Sequence, residues 1–543
     1  MISFLRLSLY FKGLFINPFS MNRFTFSCLV LFLFFTSPAL CQTHDNTQVR
    51  GLVKENAMVV SANILASEIG RDILLQGGNA FDAAVATHFA LAVVYPQAGN
   101  IGGGGFAVYL SNTASGPEIG SLDFREKAPL SASKDMYLDE QKNVIPKLSL
   151  EGHLAVGVPG SVDGMFKLHE KYGTMDMKEL IQPSINLAYH GFEINESLAF
   201  QLNRFEDTFK KVNKRNTTLN KETAWKKGDL LINKALASTL AIIRDQGRNG
   251  FYEGIVAEQI VKESQKGNGM ITAEDLSIYS SKWRKPVTGM YKGHQVVSMP
   301  PPSSGGIALL QLLQGADHQD LKVTGHNSAE TIHKMIEVER RVYADRATFL
   351  GDQDFITVPT ATLLDTGYNN KRFASINPRK ATPSSVIKEG KVDVIESFET
   401  THYSVVDKDG NAVSITTTLN SYFGSKVEVE GAGFFLNNEM DDFSSKPGIP
   451  NQFGLVGNEA NAIAPEKRML SSMTPTIVMK DDKIKMVVGT PGGSTIITSV
   501  YQAIVNVIDH ELTMQEAVNA PKFHHQWLPD QVFFEQDKFD EKT

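Results

Sequence analysis

The stretch Glu399-Thr400-Thr401-His402-Tyr403-Ser404-Val405-Val406-Asp407 decides the reading of this chain. Strand-forming residues alternate from Tyr403 onward, and the pattern resumes through Ala412, Val413 and Ile415 after the segment Asp407-Lys408-Asp409-Gly410-Asn411. Alternation on both sides of an Asp-Gly turn predicts a β-hairpin, since strand side chains point to opposite faces in turn and Gly accepts the positive φ of a tight turn. Thr400 then sits at the lip of the first strand, where its side chain is held rigidly. If the backbone is cut before Thr400, the new terminal threonine becomes a nucleophile, and the rest of the chain either supports that chemistry or excludes it.

With 543 residues, 42% hydrophobic and 21% charged, the composition is that of a globular protein able to bury a sizeable core. The net charge of −7, without a long basic block, argues against nucleic acid as a partner. Met21-Asn22-Arg23, the apolar run Phe24 to Phe35 and the segment Thr36-Ser37-Pro38-Ala39-Leu40-Cys41 describe a secretory signal peptide over residues 1–41, with Met21 as an alternative start. The run is shorter than the roughly 20 apolar residues of a membrane span. An uncleaved anchor is the competing reading, and Pro38-Ala39-Leu40 is a poor lead-in for a lipid on Cys41. The signal directs the protein to the periplasm or outside the cell. Cys28 and Cys41 are the chain's two cysteines, so cleavage after Cys41 leaves no thiol nucleophile, disulfide or Cys-ligated zinc.

Helical spacing predicts a helix over Ser61 to Leu75 and a second, apolar all round and therefore buried, over Ala80 to Val94. Gly99-Asn100-Ile101-Gly102-Gly103-Gly104-Gly105 leads into a strand from Phe106 to Leu110. A phosphate-loop reading fails there, because no Lys-Ser/Thr follows and the next element is a strand; close backbone packing accounts better for the glycines. Arg125 reads either as a surface ion-pair member or as a bidentate clamp for a carboxylate. Residues 150–290 read as largely helical, with Ser161 to Tyr172 and Ala235 to Gln246 as examples. On the helix from His333 to Phe349, His333 and Glu337 lie four apart without an evident third metal ligand, so a surface pair is expected. His524 and His525 are adjacent, cannot face the same way, and read as structural. Residues 380–399 are polar and loop-like, a segment that accommodates a cut.

As an ordered set, Gly99 to Phe106, Asp123 to Pro129, Pro300 to Gly306, Thr400 to Asn420, Asn437 to Phe443, Leu470 to Pro475, Pro491 to Ser494 and Phe523 to Trp527 resemble the gamma-glutamyltranspeptidase family. The resemblance covers nearly the whole chain after the signal. It implies an α+β fold, the four-layer αββα sandwich of the N-terminal-nucleophile hydrolases. It also implies a precursor that cuts itself between Glu399 and Thr400, giving a heterodimer of a large chain (42–399) and a small chain (400–543). By the same resemblance Thr400 is the nucleophile and, through its amine, the base. Thr418 orients that amine, and Gly492 and Gly493 offer N–H groups to the oxyanion. Arg125, Ser471 and Ser472 bind the α-carboxylate of a γ-glutamyl group, and Asn420, Glu439 and Asp442 its ammonium. The implied partners are small molecules: glutathione and other γ-glutamyl compounds as donors, water, amino acids or dipeptides as acceptors. No cofactor and no metal is called for.

Two departures stand out. Phe453 occupies the place where several bacterial members carry a lid tyrosine, so it keeps the bulk without a hydroxyl for Asn420. Members also continue beyond the Trp527 region with further sheet and helix, so the sequence reads as shortened at its C-terminus. A related acylase with shifted acyl preference and an uncleaved, inactive or binding homologue are the competing readings.

Overall fold

The predicted hairpin forms the middle of the largest sheet. The structure, a computed structural model, describes residues 51–387 and 400–543; the signal-peptide segment, the end of the polar loop and Glu399 lie outside the described residues. The strands that position the site are β1 (Met58–Val60), β2 (Gly104–Thr113), β3 (Gly116–Phe124), β4 (Lys282–Arg284), β5 (Val287–Tyr291), β6 (His294–Ser298), β7 (Thr401–Val406), β8 (Ala412–Thr418), β9 (Thr476–Lys480) and β10 (Lys483–Val488). Six of them form an antiparallel sheet in the order β1-β7-β8-β2-β3-β4, and four form a second in the order β10-β9-β6-β5.

Helices α1 (Ile64–Leu75), α2 (Ala80–Val94) and α3 (Ser161–Tyr172) belong with the first sheet, and α4 (Gly305–Gln319), α5 (Ala329–Phe349) and α6 (Ile496–Ile508) with the second. Three apolar cores define the layers. Phe81, Phe89, Tyr403, Val405, Val413 and Ile415 join α2 to the large sheet. Leu309, Val338, Val500, Ile504, Val296 and Val478 join α4, α5 and α6 to the small one. Phe106, Val108, Val297, Met299, Ile477 and Met479 fill the space between the sheets. The order is helix, sheet, sheet, helix: the αββα sandwich that the resemblance implies. Each such apolar side chain contributes about 1.5–3 kcal/mol by leaving water, and the alternation along β7 is what divides the chain between two cores.

Along β7, Thr401, Tyr403 and Val405 are buried against the helices, while the part-buried His402, Ser404 and Val406 point to the other sheet. The turn is fastened by Asp407, whose carboxylate accepts from Asp409 N (3.0 Å) and Asn411 N (2.9 Å). The same carboxylate accepts from Ala80 N at 2.9 Å, so the hairpin turn also helps cap α2. Asn79 completes that start in a capping box with Asp82.

Some expectations needed correction. The first helix begins at Ile64 rather than Ser61, because Asn63 caps it by accepting from Leu65 N. The span 150–290 is helical only as far as Ser277; β4 and part of β5 follow, short strands whose few residues carry too little periodicity to be read. The expected His333–Glu337 surface pair does not form. Glu337 is fully buried, pairs with Arg341 Nη1 at 2.8 Å and accepts from Thr382 N at 2.9 Å, while His333 Nε2 meets the carbonyl of Asn377 at 2.8 Å. The carboxylate is spent on holding the 382 segment to α5. His524 and His525 are structural as expected: His524 Nδ1 contacts Thr498 Oγ1 at 2.8 Å, and His525 Nε2 lies 3.2 Å from Asp530.

Candidate active site

Strand register brings the two key threonines together. Thr417 pairs with Thr401, and one step further along the same register sets Thr418 opposite Thr400. Both fall on the face of the sheet that carries His402, toward the second sheet. Thr418 is also the last residue of β8 paired with β2, opposite Gly104.

The glycine run explains how the strands come so close. A Cβ would stand 2.2 Å from the Phe435 carbonyl at Gly102, 2.1 Å from the Thr418 carbonyl at Gly103 and 2.4 Å from the Thr416 carbonyl at Gly105. No side chain fits at those distances, so the close-packing reading of the glycines holds. Asn100, within the same run, ties the corner together. Its Nδ2 donates to the carbonyls of Ala98 (2.9 Å) and Thr418 (2.9 Å) and lies 3.2 Å from Thr417 Oγ1. Its Oδ1 accepts from Gly103 N (3.0 Å) and Ser161 Oγ (2.6 Å).

In front of Thr400 lies a cavity lined among others by Arg125, Arg346, Thr418, Asn420, Asp442 and the serines 471 and 472. Gly493 also lines it; Gly492 and Glu439 do not. Glu439 stands behind Arg125, fully buried, with its Oε2 2.6 Å from Arg125 Nη1. Gly492 and Gly493 have φ of +136° and +52°, and neither N–H bonds to another described residue. Asn420 has φ +73°, donates its N–H to Thr418 Oγ1 (2.8 Å) and gives its Nδ2 to the Asn438 carbonyl (3.0 Å). A non-glycine residue held in that region is a strain that functional sites commonly store.

Arg125 is 1% exposed, so its surface-pair reading fails. Its Nη2 donates to Asp442 Oδ2 at 2.5 Å, its Nε to the Met469 carbonyl at 3.3 Å, and Glu126 Oε2 lies 3.6 Å from Nη1. Burial opposes its charge, but Glu439, Asp442 and Glu126 more than offset that and hold the guanidinium above its usual value. On the other side of the pairs, burial pushes Glu439 and Asp442 up despite Arg125, and Glu126 to about 8. His402 is the histidine closest in sequence to Thr400. Burial lowers it to about 3, and its two nitrogens lie 2.9 Å from Thr416 Oγ1 and Ser404 Oγ. It is a neutral structural group. Among the described lining residues there is no histidine or lysine, and the one carboxylate, Asp442, is held by Arg125.

The lid loop lies over the cavity with Phe453 6% exposed against Gly493. Its fastenings are not through the ring. Ser421 Oγ donates to Gln452 Oε1 (2.8 Å), Gln452 N to Asp441 Oδ2 (3.0 Å), Asn451 Nδ2 to Asp442 Oδ1 (3.1 Å) and Gln526 Nε2 to the Phe453 carbonyl (3.1 Å). The missing hydroxyl therefore does not leave the loop untied.

Sequence reasoning missed Arg346, Asn100 and Asn461. Asn461 donates to the Asp442 carbonyl (2.7 Å) and accepts from Leu470 N (3.0 Å), linking the two ends of the cavity. An asparagine's capacity for four bonds gives no sequence signal until its partners are known.

A threonine heading an inner strand of an αββα sandwich, at the wall of a cavity, places the protein in the class of N-terminal-nucleophile hydrolase folds. The sequence model of the gamma-glutamyltranspeptidase family matches residues 66–543, and the chain belongs to that family of enzymes. It is 49% identical over 484 residues to the glutathione hydrolase proenzyme of Escherichia coli, covering 88% of this chain and 82% of that one. The crystal structure of Helicobacter pylori gamma-glutamyltranspeptidase superposes with a TM-score of 0.60 at 48% identity, over 63% of this chain and 97% of that chain. The cephalosporin acylase of Bacillus halodurans superposes with a TM-score of 0.74 at 26% identity, over 89% and 86% of the two chains.

Proposed function

We propose that this protein is a self-processed γ-glutamyl hydrolase and transferase acting on glutathione and its conjugates, with Thr400 as its nucleophile. The observation that carries the proposal is the cavity in front of Thr400, which among its described lining residues has no side chain free to act as base and carries both signs of charge, in Arg346 and the Arg125–Asp442 pair.

In the precursor, Thr400 Oγ1 attacks the carbonyl of Glu399. The Thr400 nitrogen leaves as an amine, and water hydrolyses the resulting ester, freeing the Glu399 carboxylate and the Thr400 hydroxyl. The freed α-amine, with an ordinary pKa of about 7.7–8.0, accepts the hydroxyl proton when Thr400 attacks a γ-glutamyl amide. The tetrahedral oxyanion is met by Gly492 and Gly493 N–H groups; losing one such donor typically costs about 100- to 1,000-fold. The amide nitrogen leaves with the proton, a γ-glutamyl ester remains on Thr400, and water or an amino acid or dipeptide amine takes the acyl group. Thr418, opposite Thr400, orients the amine. Arg125, Ser471 and Ser472 face the α-carboxylate; Asn420 and Asp442 face the ammonium, with Glu439 supporting them from behind Arg125. The signal segment sends the enzyme to the periplasm or the outside, where the large and small chains remain together as a heterodimer.

The name proenzyme, borne by the Escherichia coli relative, supports processing. The likeness to the cephalosporin acylase keeps one rival open, and the pairing of Arg125 with Asp442 opposes it. Intact mass spectrometry of the purified protein is expected to show two chains divided before Thr400, and Thr400→Ala a single one. Turnover of a γ-glutamyl anilide, with far slower turnover of the glutaryl analogue that lacks the amine, is expected. Cleavage in Thr400→Ala, or preference for the glutaryl substrate, refutes the proposal.

A further inference from the structure

Arg346, in the last turn of α5, lines the same cavity and is 4% exposed. Unlike Arg125, it has no carboxylate within 4.0 Å among the described residues. Its Nε donates to Ser304 Oγ at 3.0 Å and its Nη2 to Ser472 Oγ at 3.0 Å; its Nη1 bonds to no described residue. Burial pushes the guanidinium below its usual value, with Tyr343 and Asp442 acting the other way. A buried cation without a paired anion is costly, and the chain keeps it at a cavity wall.

Its two bonds go to Ser472, which lines the cavity, and to Ser304, which does not. Ser304 Oγ passes the contact on by donating to the Ser471 carbonyl at 2.6 Å, and Ser304 N donates to the same carbonyl at 2.8 Å. Ser472 Oγ accepts from Arg346, which leaves its own proton to be donated elsewhere, and no described residue takes it. Arg125, by contrast, is compensated: Glu439 and Asp442 sit 2.6 and 2.5 Å from its two terminal nitrogens. The cation of the cavity wall with no carboxylate in direct contact is therefore Arg346, and the hydroxyl proton beside it belongs to Ser472.

We infer that Arg346 is a specificity residue for the anionic end of the substrate, supplying the uncompensated charge and, through Ser472, an aimed hydroxyl for the α-carboxylate. This rests on the γ-glutamyl reading of the site. It assigns Arg125 a second duty: holding Asp442 in place for the ammonium. The two ends of an α-amino acid are then read by separate groups, and Arg346 is the one whose removal is felt by the carboxylate alone.

The test compares two anilides on the processed protein and on Arg346→Gln: the γ-glutamyl anilide and the 4-aminobutanoyl anilide, which keeps the amine and lacks the carboxylate. A charge-assisted bond of this kind corresponds to about 10- to 100-fold. That loss in kcat/KM, mostly through KM, is expected for the γ-glutamyl substrate in Arg346→Gln, with the 4-aminobutanoyl substrate changed by less than about threefold. Arg346→Lys, which keeps the charge without the fork, is expected to lose less and with the same selectivity, and it is the variant read if Arg346→Gln does not process itself. Equal losses on both substrates, or none on the γ-glutamyl anilide, overturn the inference. Stabilisation against heat by free L-glutamate, expected in the parent and lost in Arg346→Gln, needs no turnover. An equal shift in both proteins overturns the role of Arg346 even if neither anilide is cleaved, whereas an unmutated protein that fails to cleave the γ-glutamyl anilide counts against the γ-glutamyl reading itself.

Discussion

Replacing Asn100 with alanine removes a side chain that is 4% exposed and bonds to five neighbouring groups. Its two amide hydrogens serve three acceptors, so the loss is of two donors and one doubly used acceptor. Ser161 can turn its hydroxyl elsewhere, but the Gly103 N–H and the Ala98 carbonyl are left in a buried corner. At about 1–3 kcal/mol for each of these two stranded groups the cost is about 2–6 kcal/mol, a large share of the roughly 5–15 kcal/mol by which folded domains are stable. The Thr418 carbonyl loses its Asn100 bond as well, so the damage reaches the residue opposite Thr400. A displacement near 1 Å at that point is expected to slow the chemistry about 100-fold. The assay is a time course of self-cleavage on denaturing gels beside a thermal melt, with Asn100→Asp as companion. Aspartate keeps the shape and the bond from Gly103 N but has no donor for Thr418, so it should melt closer to the parent and still cleave slowly. An Asn100→Ala protein that melts and cleaves as the parent does would refute the reasoning.

The remaining predictions concern the lid. In Gly493→Ala the new Cβ would stand 2.6 Å from the Phe453 ring at a φ of +52°, so kcat/KM for a γ-glutamyl anilide should fall about 10-fold or more as the lid is forced outward; activity within about twofold of the parent would contradict this. Asp441 is pushed up to about 7 by burial, although Ser149 Oγ and Gln452 N donate to it. Because the folded chain holds that proton between about pH 4 and 7 while the unfolded chain releases it, this group's contribution to stability is present at low pH and lost as pH rises through 7, at up to about 1.4 kcal/mol per pH unit. Asp441→Asn should therefore gain melting temperature relative to the parent between pH 5 and pH 7, and a difference independent of pH would rule that out.

The fold was legible where one residue type does one job over a long enough run. β7 and β8 alternate cleanly around Asp407, and α2 shows its burial in its alanines and its start in Asn79. The family could be read because the motif set is ordered along the chain. Bonds between distant segments were not legible. Glu337 looked like a surface acid because its partner Thr382 is 45 residues away and its partner Arg341 lies on the same helix. Arg346 looked like any helix arginine until the fold set it at a cavity wall beside Ser472, 126 residues further on. Arg125 gave a divided reading for the same cause, since its acids lie more than 300 residues away in the sequence.

The strand order has a consequence for the finished molecule. A cut before Thr400 would leave β7 and β8 in one chain, flanked on both sides by β1 and β2 of the other, and β9 paired with β6 across the second sheet. The two chains would be interleaved through both sheets, so scission releases nothing. It would also remove the tether that made folding a first-order event: the precursor finds its partner strands within one chain, whereas the unfolded halves would have to meet by diffusion. Maturation is then a one-way passage, and recovery after denaturation becomes dependent on concentration where that of the precursor is not.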